Sequence, residues 1–456
     1  MNELVSRDQF PTDFTWGTAT ASYQIEGAAA LDGRTPSIWD TFAHTPGKVF
    51  NGDTGDEACD HYHRYATDFD LMKNLGFNAY RFSTSWSRII PNGRGAVNHK
   101  GLDFYDRLLD ALLERQIMPY ATLYHWDLPQ TLEDKGGWAS RDTAYAFAEY
   151  TDVLTQHLGD RLKNWITLNE PWCSAYLGYG IGIHAPGKTD FATSLQAAHH
   201  LLFAHGLAMP IIRSNVPNSN AGIVLNLVPT YAHNHSSQNE PAVQGMDGFF
   251  NRWYLEPIFG KGYPTDILEA YAAHAPRILD NDLQIIAAPL DFFGINYYSR
   301  SVVETIPSNP NSQNVGEILG FKQVNIPNVP RTSLNWEVYP QGLTDLLLRV
   351  QHDYNPKSLL VTENGATYQD QLEPDGSIND AARTAYFQSH IAACQTAITQ
   401  GAKLSGYFAW SFLDNFEWAE GYDKRFGITY VDFKTQERTV KRSGQWFRQF
   451  LHKEDL

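Results

Sequence analysis

Asn164-Trp165-Ile166-Thr167-Leu168-Asn169-Glu170 is a short apolar run that stops abruptly at two polar residues. A run this short, flanked by amphipathic sequence, reads as a strand buried on both faces, the kind from which parallel sheets are built. The pattern recurs at Phe14 to Ala21, Ala79 to Ser83, Met118 to Tyr124, Ala221 to Leu227, Phe292 to Asn296, Ser358 to Thr362 and Leu404 to Trp410, eight runs in all. Between the runs lie helical signals. Gly101 to Gln116 carries Leu102, Tyr105, Leu108, Leu109 and Leu112 at spacings of three and four, which buries one helical face. Ala381 to Thr399, free of Pro and Gly, follows Ser377-Ile378-Asn379-Asp380, a sequence able to cap a helix start. Eight alternations of strand and helix predict an α/β fold, a single (β/α)8 TIM barrel.

Two connections are longer than a strand-to-helix link requires: Glu26 to Asp60 and the Asn/Pro-rich stretch Ile306 to Arg331. In a barrel such loops lie over the carboxyl ends of the strands, where the active-site pocket is built. No linker, internal repeat or low-complexity tract divides the chain, so residues 1–456 are expected to form one catalytic barrel domain. The formal net charge of -16, from 51 acidic against 35 basic residues, disfavours nucleic acid and anionic membranes as partners. Cys59, Cys173 and Cys394 are isolated and odd in number, which fits free thiols in a reducing, cytoplasmic setting. Met1 to Asp8 has no apolar core of a signal peptide, and no run of about 18 apolar residues follows. Aromatic residues make up 13%, including 12 Trp and 24 Tyr, and such rings stack on the C–H faces of sugars as well as packing cores.

Strand carboxyl ends converge in a barrel, so the polar residues there form one set. They are Gln24, Arg81, His125-Trp126, Asn169-Glu170, Asn226, Asn296 to Tyr298, Glu363-Asn364 and Trp410. Glu170 and Glu363, at the ends of the fourth and seventh strands, would face each other across the mouth. Paired carboxyls in that arrangement suit glycoside hydrolysis, in which one donates a proton and the other attacks the anomeric carbon. A separation of roughly 5 to 5.5 Å marks the retaining route. Arg81 would favour the charged form of Glu363, whose charge would in turn keep the proton on Glu170.

Several motifs resemble those of the family 1 glycoside hydrolases. Thr167-Leu168-Asn169-Glu170-Pro171 looks like the family's acid/base motif and Val361-Thr362-Glu363-Asn364-Gly365 like its nucleophile motif. Phe14 to Glu26, Tyr80 to Ser87, Leu123 to Pro129 and Gly406 to Trp418 extend the likeness over nearly the whole chain. The resemblance implies a retaining β-glucosidase with Glu170 as acid/base and Glu363 as nucleophile, needing no cofactor and no metal. It further implies that Gln24, His125, Trp126, Asn169, Glu417 and Trp418 hold the non-reducing sugar, with Trp410 beneath its ring. Tyr298 is then the hydrogen-bond partner of Glu363, with Asn296 close by and Arg81 in support, and Trp336 is the platform for the leaving group. Phe416-Glu417-Trp418, in place of the Ser and Lys pattern of relatives that act on phosphorylated sugars, implies unphosphorylated glycosides. The acid Glu170 stands where the plant thioglucosidases have Gln. Asn335 departs from the commoner Gly beside the platform tryptophan, which leaves aglycone preference open. Trp172 and Leu177 are expected to narrow the pocket mouth.

The implied substrates are cellobiose, cello-oligosaccharides and aryl or alkyl β-glucosides, with β-galactosidase and β-fucosidase side activity. A transglycosylating or galactosidase-leaning relative is the alternative enzyme, and a sugar-binding protein on a decayed barrel would have lost one of the two glutamates. Other patterns carry less. Gly182 to Thr189 satisfies the Walker A spacing, but Tyr176 to Gly182 lacks a β-branched run and Pro186 removes a backbone donor. His61-Tyr62-His63 and His199-His200 lack the i, i+4 spacing of a zinc helix and are expected on helix surfaces or at caps.

Overall fold

The computed structural model describes residues 5–453. Of the amino-terminal stretch read above for a signal sequence, Met1 to Leu4 lies outside the described residues. Eight parallel strands close into a barrel: β1 (Thr15–Ala19), β2 (Ala79–Ser83), β3 (Met118–Tyr124), β4 (Asn164–Asn169), β5 (Asn220–Asn226), β6 (Phe292–Asn296), β7 (Leu359–Asn364) and β8 (Leu404–Trp410). Each strand pairs with its neighbours in sequence, and β1 closes the ring on β8 through Thr15 to Ala19 opposite Gly406 to Trp410. All eight expected runs are strands, within two residues at each end.

The strands read as apolar runs because both faces are covered. Outward residues pack on helices such as His99–Glu114, which buries Leu102, Tyr105, Leu108, Leu109 and Leu112 as its spacing predicted. Inward, Tyr120, Ile166, Val224, Phe292, Leu360 and Phe408 fill the barrel beneath Trp410 and Phe426. Small residues make room for them: a Cβ on Gly17 would lie 2.3 Å from the Phe408 ring. The register slips between Ile166 and Asn169 on β4 and between Val361 and Glu363 on β7. Irregularities of this kind re-aim side chains, and here they lie beside the two glutamates.

Some expectations need correction. Helix Ala381–Thr399 starts at Asp380, but no side chain caps it: the Asp380 carboxylate accepts instead from Arg383 and from the amide and hydroxyl of Ser443. His61, His199 and His200 are buried rather than at a surface. His61 pairs with Asp68 at 2.7 Å, and His199 lies between Asp282 (2.9 Å) and Tyr263 (3.0 Å). Only His63 stays on a surface, beside Asp60 at 2.6 Å. Gly182 to Thr189 follows a helical segment, Cys173–Gly180, and no strand, so it is no phosphate loop.

Candidate active site

A cavity of about 700 Å³ opens over the carboxyl ends of the strands. Glu170, Glu363, His125, Trp126, Asn296, Tyr298, Trp336, Trp410, Glu417 and Trp418 all line it. Gln24, Arg81 and Asn169 are fully buried and bonded to lining residues from behind. The two glutamates have different partners. Glu363 receives Arg81 at 2.5 Å on Oε1 and the Tyr298 hydroxyl at 2.6 Å on Oε2. Glu170 receives the Asn296 amide at 2.6 Å on Oε1 and the Cys173 thiol at 3.2 Å on Oε2.

Burial pushes both carboxyls up. For Glu363 this is opposed first by the Arg81 charge, then by the bonds from Tyr298, Arg81 and Asn296. For Glu170 the charge of Glu363 adds to burial, and only Asn296, Cys173 and the more distant Arg81 oppose it. Of the two, Glu363 is therefore the group that ionises and Glu170 the group that keeps its proton. Burial and the neighbouring Glu363 also hold the Tyr298 phenol well above its usual value, so it remains a donor.

Behind the carboxyls the polar atoms form one network. Arg81 donates to Asn169 Oδ1 at 2.7 Å, and Asn296 donates to the same oxygen at 3.0 Å. Thr362 holds Asn296 Oδ1 at 2.7 Å. With its oxygen so occupied, Asn169 presents its amide nitrogen to His125 Nε2 at 3.0 Å. Burial, then Arg81, keeps the His125 ring neutral, so its one proton sits on Nδ1, which is buried with no protein partner. Gln24 is fixed the same way: its amide donates to Asn415 and to the Phe416 carbonyl, and Oε1 is left buried and unpartnered. One orphan donor and one orphan acceptor suit a polyhydroxylated ligand. Trp126, Trp410 and Trp418 supply the flat surfaces, with Trp126 and Trp418 4.5 Å apart and His125 stacked on Trp410 at 5.8 Å.

Backbone conformation is unusual at these positions: Glu170 (φ 47°), Trp126 (φ 81°) and Trp418 (φ 52°) are left-handed without being glycine, a feature that clusters at functional sites. Asn335 shares it at φ 63°. Asn tolerates this conformation best after Gly, which accounts for the exchange noted in the sequence. Trp336 packs on Tyr298 at 5.3 Å. Trp172 and Leu177 line the cavity, Trp172 lying on Phe250 at 4.2 Å.

Four residues at the cavity lie outside the strand-end set. Phe426 lines the wall between Tyr298 (5.8 Å) and Trp336 (6.1 Å) but sits in an irregular loop with no periodicity to mark it. Arg300 and Glu337 pair at 2.8 Å beside the cavity, and no spacing links them. Cys173 was read only as a free thiol, although its place three residues after Glu170 signals one helical turn.

The model of Glycosyl hydrolase family 1 matches residues 6–456. The chain belongs to that family. Beta-glucosidase A of Thermotoga maritima is 47% identical over 440 residues, 96% of this chain and 97% of that protein. A bifunctional beta-D-glucosidase/beta-D-fucosidase of Bifidobacterium breve is 44% identical, covering 97% and 98%. Among solved structures, the family 1 β-glucosidase from Thermotoga maritima superposes with a TM-score of 0.94 at 46% identity over the whole of both chains. Among the described residues no group of three or more His, Cys, Asp and Glu could hold a metal ion, and no helix is long and apolar enough to cross a membrane.

Proposed function

We propose that the whole chain acts as one catalytic unit in which Glu363 is the nucleophile and Glu170 the acid/base of a retaining β-glucosidase. The reading is carried by one observation: two carboxyls line one cavity, one held by a cation and a phenol, the other by uncharged donors. Glu363 attacks the anomeric carbon while Glu170 protonates the leaving oxygen. Glu170, now ionised, then deprotonates the water that releases glucose. Arg81 and Tyr298 hold Glu363 in place and keep it charged until it attacks.

The ligand of the deep pocket is a terminal, non-reducing β-D-glucosyl residue. His125 Nδ1–H and Gln24 Oε1 complement its hydroxyls, Asn169 has a second amide hydrogen for the 2-hydroxyl, and Trp410 underlies the ring. Trp126, Trp418 and Glu417 complete this sugar site, and Trp336 carries the aglycone. Glu417 is not held as a carboxylate anion. Burial, then Glu363 and Glu170, push it up to about 8, so near neutral pH it donates as well as accepts. Repulsion of a sugar phosphate therefore comes first from Glu363, the carboxyl of the cluster that ionises, and from Glu417 only as pH rises towards 8. The pocket, with its Bifidobacterium breve likeness, also supports β-fucoside and β-galactoside turnover. Cello-oligosaccharide breakdown in the cytoplasm is the setting that the sequence favours.

Glu363→Ala is expected to abolish turnover of aryl glucosides, and azide to restore it with inverted configuration in the product. Wild-type turnover in that variant would end the assignment. A product profile rich in new glycosides rather than glucose would favour the transglycosylating alternative.

A further inference from the structure

We infer that Cys173 is a positioning residue for the acid/base, holding the oxygen of Glu170 that carries the transferred proton. The inference rests on Glu170 being that acid/base. Oε1 of Glu170 accepts the Asn296 amide at 2.6 Å, and an oxygen bound to an amide donor is the poor place for a proton. The proton therefore belongs on Oε2, the oxygen 3.2 Å from Cys173 Sγ. The direction of the thiol bond is fixed from its other side: Asn226 Nδ2 approaches Sγ at 3.5 Å as a donor, which leaves the S–H to point at Glu170. Asn226, Cys173 and Glu170 form a chain of donors ending on the reacting oxygen.

The backbone holds this contact. Glu170 turns at φ 47°, and the Cys173 amide donates to the Glu170 carbonyl at 2.9 Å, so both side chains ride on one turn at the head of Cys173–Gly180. Cys173 is buried and lines the cavity, and burial followed by the charge of Glu170 holds its thiol protonated. It is thus a donor at every pH at which the enzyme works. A thiol suits the task better than a hydroxyl. It is a weak donor, so it orients the carboxyl oxygen without strongly lowering its basicity. The other charged or titratable groups facing Glu170 are Glu363 from β7, Arg81 from β2, Tyr298 after β6 and Glu417 after β8. None of them bonds Oε2.

The test compares Cys173→Ala and Cys173→Ser with wild type on two substrates. Methyl β-glucoside needs its leaving oxygen protonated, and a dinitrophenyl β-glucoside does not. Cys173→Ala is expected to lose about 10-fold in kcat/KM on the methyl glucoside, as general-acid misplacement does, with little change on the dinitrophenyl glucoside. Its alkaline limb moves to higher pH, because a donor to the charged form is gone. Cys173→Ser, which keeps a donor and a stronger one, recovers methyl glucoside turnover and brings the alkaline limb back to or below its wild-type position. Equal losses on the two substrates with an unmoved limb would assign Cys173 to packing and overturn the inference. The Glu170→Gln background separates the two readings. If Glu170 is the acid, Glu170→Gln alone loses methyl glucoside turnover, and adding Cys173→Ala changes nothing further. If Glu170→Gln keeps that turnover, the acid/base assignment itself has failed.

Discussion

Arg81, Tyr298 and Asn296 divide two chemically identical carboxyls into an attacker and a proton donor, and the pH behaviour follows from that division. Activity is expected to be bell-shaped, falling on the acid side as Glu363 takes up a proton and on the alkaline side as Glu170 loses one. The charge of Glu363 raises Glu170, so Glu363→Gln should lower the Glu170 titration, visible by carbon NMR of labelled glutamate. An unmoved titration would mean that burial alone sets it. At Asn335, φ 63° makes a second prediction. Asn335→Gly should be silent, whereas Asn335→Val should cost about 1–2 kcal/mol of stability and raise KM for aryl glucosides by displacing Trp336. Equal stability of the two variants by thermal unfolding would contradict this. The glutamates, the histidine and the tryptophans were legible because each ends a recognisable run. Phe426, Arg300 and Glu337 were not, since only tertiary contact brings them to the wall.

At the level of elements, the motif Thr362-Glu363-Asn364-Gly365 shows why a glycine must follow the strand. A Cβ on Gly365 would lie 1.7 Å from the Trp410 carbonyl oxygen, so β7 and β8 touch there backbone to backbone. Gly365→Ala should therefore destabilise the protein by about 1–3 kcal/mol, as overpacking does, and reduce kcat by moving Glu363. A variant with wild-type melting temperature and kcat would show that the contact can relax. The barrel strands were legible because burial on both faces leaves its mark on each run. The small sheet of Thr230–Ala232, Ser301–Thr305 and Phe321–Gln323 was not, although Gln323 lines the cavity. Its strands are short and partly exposed, and their pairing is supplied by loops distant in sequence. The capping sequence before Ala381 misled for a related reason: Asp380 binds the Arg383 side chain and Ser443 rather than the first amides of its helix.

For the molecule as a whole, a buried ionic cluster fastens the last helix to the site. Lys441, just before Arg442–His452, pairs with Asp370 and, at 2.6 Å, with Asp414. Arg383 binds Asp370 at 2.9 Å and Arg425 binds Asp414 at 2.7 Å. Asp370 follows β7 and Asp414 follows β8, so one cation ties together the loops beside Glu363 and Trp410. Lys441→Met should cost about 3–5 kcal/mol in urea unfolding, because two buried carboxylates lose a partner. A second cluster contributes to stability in acid. Burial pushes Asp282 up, but Arg141, then His199 and the Leu279 amide, outweigh it and hold the carboxyl down to about 2. With its folded value depressed, Asp282 contributes stability above the ordinary carboxylate range and loses it as pH falls through about 2. Asp282→Asn should accordingly flatten the dependence of urea midpoint on pH on the acid side. A slope equal to wild type would place the acid sensitivity elsewhere.

The ring of strands has one more consequence. Glu170 closes the fourth strand and Glu363 the seventh, so a chain severed between β4 and β5 leaves one of them on each fragment. Neither half could break a glycosidic bond unaided, and reunion of the halves would restore cleavage only by sealing both seams, β4 against β5 and β8 against β1. Turnover by such a pair would then report barrel closure itself.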